Sequence, residues 1–213
     1  MKIAEKINND FKIILASASP RRKQLLELAG FEFEIWPSDK DEVITEKTPD
    51  AICVELSKQK AIDVASSIKT YNELHKDLTT ETDILVIGAD TIVVMEGGIL
   101  GKPKDEADAI FMLKSLSGKT HSVFTGVTFV FSGKDGRVGE YSFYEETKVT
   151  FYPLDEEDIK SYVLSGDAMD KAGSYGIQTT AAAFVRAIEG DYYNVVGLPI
   201  ARVIHELKHL ISN

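Results

Sequence analysis

The chain has 213 residues, 44% hydrophobic and 27% charged, a balance that fits a globular protein and excludes a disordered or fibrous one. Lys plus Arg number 24 against 34 Asp plus Glu, a net charge of −10, which argues against binding to nucleic acid or to a membrane surface. The lone cysteine, Cys53, excludes an internal disulfide and reads as a small buried hydrophobe.

Residues 1–17, "MKIAEKINNDFKIILAS", lack the apolar core and cleavage site of a signal peptide. No apolar run approaches the roughly 18 residues of a membrane span. A cytoplasmic protein is the expectation. Residues 11–16 read as a strand. "LASASPRRKQLLELAG" (15–30) then turns into a helix over 20–29. Ser19 stands at the N-cap, Pro20 at the first helical position and Gly30 beyond the end. Leu25, Leu28 and Ala29 are expected on its inner face. "FEFEIWP" (31–37) alternates like a strand with one wet face, and "SDKDEVITEKTP" is a polar loop. Residues 49–69 have helical period, with Ile52, Leu56 and Ala61 inward, and the polar stretch to about 82 reads as a surface insertion.

"ILVIGADTIVVM" (84–95) is one long buried strand or a strand pair, followed by a Gly-Gly turn in "EGGILGKP". A helix over 105–118 has Asp105 as its N-cap and Gly118 past its end. "HSVFTGVTFVF" and "YSFYEETKVTFYPL" are strands joined by the hairpin tip "SGKDGRVG". A short helix (155–166), a glycine-bearing loop "DAMDKAGSYGIQ", a further strand and turn, and an amphipathic closing helix complete the chain. Strands and helices mixed in this way make an α/β protein with a mixed sheet.

The first chemical signal is Arg21-Arg22-Lys23 in the first turn of a helix, the end that already favours anions. Cations there make sense if a multiply charged anion docks on the free N–H groups, with guanidinium forks gripping phosphate oxygens. Ser17 and Ser19 add hydroxyl donors. The alternative is a solvated basic turn. Asp90 sits inside an apolar run, where an unpaired carboxylate costs several kcal/mol. It is a strand-end cap, or else a metal-binding or water-activating carboxylate. Gly88 leaves room for a close approach.

Lys102, before a proline, and Lys58 and Lys60, placed near a helix end, are cations with strong surface alternatives. In "DKAGSYGIQ", Gly173 and Gly176 permit close ligand approach, Lys171 adds charge, and Gln178 offers a donor and an acceptor to a base edge. His205 and His209 are four apart with no third ligand in sight, so they read as surface residues.

"LASASPRR", "KQKA", "GADT", "GKPKD", "SGKTHSVFTGV", "DKAGSYGIQ" and "GDYYNVVGLP", in that order, resemble the Maf (septum-formation inhibitor) family of nucleoside triphosphate pyrophosphatases. The resemblance runs from about residue 11 to 205 and treats 1–213 as a single domain of two lobes. It implies a fold like the inosine triphosphate pyrophosphatases: an elongated mixed sheet flanked by helices around a central cleft. It implies Mg²⁺- or Mn²⁺-dependent hydrolysis between the α and β phosphates, in a nucleotide-pool house-cleaning role, and a homodimer.

Carried over position by position, the resemblance gives Ser17, Arg21 and Arg22 to phosphate binding and Lys60 and Lys102 to transition-state charge. Asp90 becomes the proton acceptor, and Glu42 joins it as a metal ligand, with Asp39 and Asp41 close by. Arg22, Thr91 and Gln178 match the branch that acts on dTTP, UTP and modified pyrimidine nucleotides rather than on 7-methyl-GTP. Ser174 and Thr179 depart from the family, which often has Ala and Gly there. The rival expectation is a nucleotide-sensing protein that acts through a division or repair partner. Such a sensor needs the cations but could spare Glu42 and Asp90.

Overall fold

The computed structural model describes residues 2–74, 82–134 and 137–212. Local signals set the elements. The helix α1 (Lys2–Asp10) leads into β1 (Phe11–Leu15) and α2 (Pro20–Ala29). Ser19 caps α2, accepting from the Arg22 N–H, and Gly30 closes it in the left-handed region at φ 85°. β2 (Phe33–Ile35) is shorter than its alternating pattern. α3 runs from Pro49 to Leu74, beyond the expected end at 69, so Lys58 and Lys60 stand mid-helix and gain nothing from a helix terminus. The rest of the polar insertion, 75–81, lies outside the described residues.

β3 is one strand, Asp83–Met95, and turns through Glu96 and Gly97 into β4 (Gly98–Leu100). Both turn residues have positive φ, 50° and 81°, as a two-residue hairpin requires. The turn is therefore Glu-Gly rather than Gly-Gly. Asp105 caps α4 (Glu106–Leu116) through the Asp108 N–H at 2.8 Å. β5 (Thr120–Ser132), β6 (Val138–Phe151), α5 (Glu156–Leu164), β7 (Val185–Glu189), α6 (Tyr192–Val196) and α7 (Ile200–Ser212) follow. α1 and α6 carry no signal that the sequence reading used. The hairpin residues 135 and 136 lie outside the described set.

The result is a mixed α/β protein whose sheet has the order β2-β1-β3-β5-β6-β7, with β4 beside β3. β1 pairs in parallel with β2 and β3, while β3–β4 and β6–β7 are antiparallel. The chain divides into two compact units. One comprises 1–90, 126–144 and 197–213; the other comprises 91–125 and 145–196.

In the first unit, Ile14, Ile84, Val86 and Val130 of the strands, with Ala16 just past β1, pack against Ala61, Val64 and Ile68 of α3. Ile52, Leu56 and Ala61 are buried as their spacing requires. On α2 the buried pair is Leu25 and Leu26; Leu28, expected inward, is 69% exposed. Two glycines let α3 lie close on the sheet. A Cβ at Gly88 would meet the Ser57 carbonyl at 2.4 Å, and one at Gly126 the Cys53 carbonyl at 2.1 Å. The room at Gly88 is filled by a helix, not by a ligand.

The second unit is held by an aromatic core. His121, Phe151, Tyr175, Phe184 and Tyr162 meet edge to face. Among the described residues, no helix is long and apolar enough to cross a membrane.

Candidate active site

Asp90 is the last residue of β3 within the first unit, and its side chain is 13% exposed. It is not left unpaired: the Lys60 ammonium, from the middle of α3, hydrogen-bonds Asp90 Oδ1 and lies 2.8 Å from Glu42 Oε1. One cation thus joins a carboxylate from mid-strand, which is therefore not a strand-end cap, to one from a loop. Glu42 is exposed, so Coulomb attraction has chiefly to offset the cost of taking the Lys60 and Asp90 charges partly out of water.

Ser17 and Arg22 form a second cluster in the same unit. Both are buried. Arg22 donates from Nε to the Gly197 carbonyl at 2.9 Å and from a terminal nitrogen to Ser17 Oγ at 3.0 Å. Burial lowers the Arg22 pKa, the Asp90 carboxylate opposes that, Arg21 adds to the lowering, and Glu42 again opposes it. The electrostatic coupling links the two clusters: the guanidinium feels both carboxylates held by Lys60. Arg21 beside it is half-buried.

The remaining expected residues fall in the second unit. The Thr91 hydroxyl lies 2.9 Å from that of Thr125, which donates to the Asn194 carbonyl. Asn194, wholly buried, donates to Val123 O and Thr147 Oγ1. This buried polar network adjoins Thr91 through the Thr125 hydroxyl, and the sequence reading did not see it. Isolated Thr and Asn residues in strands or turns carry no spacing signal for it. Lys102 and Gln178 are exposed on loops. The two loops are tied where the Gly173 N–H donates to Gly101 O at 3.1 Å.

Lys171 is a correction. It is buried, and its ammonium pairs with Asp167 and Asp170 at 2.9 and 2.6 Å, so it offers no free charge to a ligand. The close approaches at Gly173 and Gly176 are likewise internal, to Val93 and to the Lys171 stem. Thr179 turns its hydroxyl to Asp167 and Gly176 O, which braces the loop beside Gln178.

Cys53 is fully buried, and burial pushes its thiol up to about 12, so it has no nucleophilic role near neutral pH. His205 and His209 are exposed, with their Nε2 atoms 3.1 Å apart.

No group of three or more His, Cys, Asp or Glu side chains that could hold a metal occurs among the described residues. Two convergent carboxylates nonetheless suit a hard cation such as Mg²⁺, which binds through one or two carboxylates plus substrate phosphates. Asp90 and Glu42, which share the Lys60 ammonium, are the two carboxylates that the fold brings together here.

A model of the family described as Maf-like protein matches residues 12–210. The chain belongs to the Maf family. It is 62% identical over 199 residues to a dTTP/UTP pyrophosphatase of Agathobacter rectalis, covering 93% of this chain and 97% of that one. It is 52% identical over 198 residues to a protein of the same name from Bacillus thuringiensis subsp. konkukian, covering 92% and 94%. Among solved structures it is similar to a HAM1 protein from Coxiella burnetii, with 14% identity, a TM-score of 0.48 and coverage of 93% and 99%. The Maf match spans both units, so the Ser17–Arg22 cluster, the Lys60 junction and the Thr91 network all lie in the family's own region.

Proposed function

We propose that this Maf protein hydrolyses dTTP and UTP, and modified pyrimidine nucleotides, to the nucleoside monophosphate and pyrophosphate. The observation that carries the proposal is the Lys60 ammonium joined to Asp90 and Glu42, beside a buried Arg22–Ser17 pair, in a chain of this family. The names of its relatives support the choice of nucleotide.

Ser17, Arg21, Arg22 and the N–H groups at the start of α2 hold the triphosphate. Asp90 takes a proton from the attacking water, whose oxygen bonds to the α-phosphorus as the α–β bridging bond breaks and pyrophosphate leaves. Lys60 and Lys102 offset the charge that builds on the phosphate oxygens. Asp90 and Glu42 would hold a Mg²⁺ or Mn²⁺, which when bound supplies further charge neutralisation at the phosphates. Thr91 and Gln178 select the base. The anion-binding machinery works against a net charge of −10, which keeps other polyanions away. We place the enzyme in the cytoplasm as a homodimer. The sequence expectation stands behind the first, and the family resemblance supports the second.

Pyrophosphate release from dTTP, UTP, CTP, GTP, 7-methyl-GTP and ITP with Mg²⁺, beside Asp90→Asn, tests the reading. Release from dTTP and UTP that the variant lacks is the expected result. Release mainly from 7-methyl-GTP or ITP would overturn the base assignment, and no release from any nucleotide would overturn the activity.

A further inference from the structure

Glu42 stands on an irregular segment, residues 38–46, with no ladder of its own. Its apolar side chains do not anchor it: Val43 and Ile44 are 59% and 55% exposed. A pocket of about 600 Å³ lies between the segment and α3, lined on the helix side by Ala51, Val54 and Ile62 among others. The segment is instead held by polar bonds to one face of α3.

Glu55, Gln59 and Asp63 repeat every four residues and so share that face. Asp63 accepts from Ser38 Oγ at 2.8 Å and pairs with Lys40. Gln59 accepts from the Val43 N–H at 3.0 Å and donates to the Val43 carbonyl. Glu55 accepts from the N–H groups of Thr45 and Glu46 at 2.9 and 3.2 Å, and from the Thr45 hydroxyl. The central member, Gln59, adjoins Lys60 on the helix and grips the residue next to Glu42 on the segment. Its side-chain amide satisfies both backbone groups of Val43, which an acid or an apolar side chain cannot do.

We propose that Gln59, flanked by Glu55 and Asp63, is a positioning residue: the three side chains latch the segment to α3 and so set the Glu42 carboxylate opposite Asp90. This rests on the functional reading above. The latch acts through backbone placement, so its loss leaves the Arg22–Ser17 phosphate cluster intact. The affected quantities are turnover and the demand for divalent ion, while KM for nucleotide changes little.

Gln59→Ala and Gln59→Glu test this, the second keeping the acceptor and losing the donor. Two readouts are needed. The first is amide hydrogen exchange at residues 43–46 in EDTA, without nucleotide. The second is dTTP turnover against Mg²⁺ concentration. The expected result is faster exchange at 43–46 in both variants, with helix α3 unchanged. The Mg²⁺ concentration for half activation should rise about 10- to 100-fold, the usual cost of losing a residue that orients a metal ligand, with Gln59→Glu between wild type and Gln59→Ala.

If the wild type turns over dTTP and both variants keep its Mg²⁺ profile, the positioning role is overturned and the functional reading stands. If the wild type turns over no nucleotide, both fall, and the exchange data alone report whether the latch holds the segment. Unchanged exchange at 43–46 overturns the latch itself.

Discussion

Asp90 and Arg22 show how much one side chain can carry. Asp90 lies mid-strand, between buried runs on either side, and faces a single ammonium. Asp90→Asn keeps the shape and one hydrogen-bond acceptor but removes the charge and the proton acceptor. Turnover of dTTP should fall by orders of magnitude with the thermal unfolding midpoint close to wild type, and a folded variant of near-normal turnover would remove Asp90 from the chemistry.

Arg22 presents a planar fork: Nε holds Gly197 O and one terminal nitrogen holds Ser17. A lysine can replace the charge but not the fork. Arg22→Lys is expected to raise KM for dTTP by about tenfold, roughly 1.4 kcal/mol of binding, with a smaller change in kcat. Steady-state kinetics check it; an unchanged KM would mean that the fork serves only the fold.

At the scale of elements, the contact of α3 with the sheet is set by two absent side chains. An alanine at Gly88 or Gly126 would put a methyl against helix backbone at 2.4 or 2.1 Å, and backbone cannot rotate away. Gly88→Ala and Gly126→Ala should each cost about 1–3 kcal/mol by overpacking, read by urea denaturation, and neutral substitutions there would show that α3 is free to shift.

These glycines also mark what the sequence could and could not say. Caps and stops were legible because they are local: Ser19, Pro20, Gly30 and Asp105 all act as their positions imply. So was the inner face of α3, where period and burial agree at Ile52, Leu56 and Ala61. Leu28 misled because a ten-residue helix with two adjacent buried leucines has no unique apolar stripe. The end of α3 was missed because Thr70, Asn72 and Glu73 open a polar stretch, and polarity reads as loop where it also suits a helix.

Within the site, Asp90 and the cations at 21–22 stood out as charges where the local pattern argued against charge. The partner of Asp90 did not, because Lys60 is 30 residues away in sequence and only the packing of α3 on β3 brings them together. Lys171 failed for the same reason in reverse: its neutralising acids, Asp167 and Asp170, are in plain view, but nothing local says the ammonium is buried among them.

The whole molecule responds to acid through a different residue. His121 is 2% exposed in the aromatic core of the second unit, with Nε2 2.8 Å from the Tyr175 hydroxyl and Nδ1 without a partner among the described residues. Burial lowers its pKa to about 4 from an ordinary 6.5. Well above pH 6.5 the ring is neutral in both folded and unfolded chains and contributes no pH dependence. As pH falls from 6.5 toward 4, the unfolded chain binds a proton that the folded chain refuses, so stability falls, by roughly 3 kcal/mol at the limit. Below 4 both forms are protonated and this loss stops growing.

Asp63, Asp167 and Glu206 have lowered values: Lys40 lowers Asp63, while at Asp167 and Glu206 burial pulls upward and is outweighed by hydrogen bonds and cations, Thr179 and Tyr141 foremost. Their stabilisation is present above the ordinary carboxylate range and is lost as pH falls through their folded values, a more acidic window than that of His121. The two windows can be separated with His121→Phe, which keeps the edge-to-face packing on Phe151 and removes the titrating ring. The variant leaves the buried Tyr175 hydroxyl unpaired and should be about 1–3 kcal/mol less stable at pH 7. Between pH 7 and pH 4.5 it should then lose far less than the wild type, whose unfolding free energy drops by roughly 2–3 kcal/mol over that interval. Equal slopes in the two proteins, measured by urea unfolding at both pH values, would move the acid sensitivity away from His121 and onto the carboxylates.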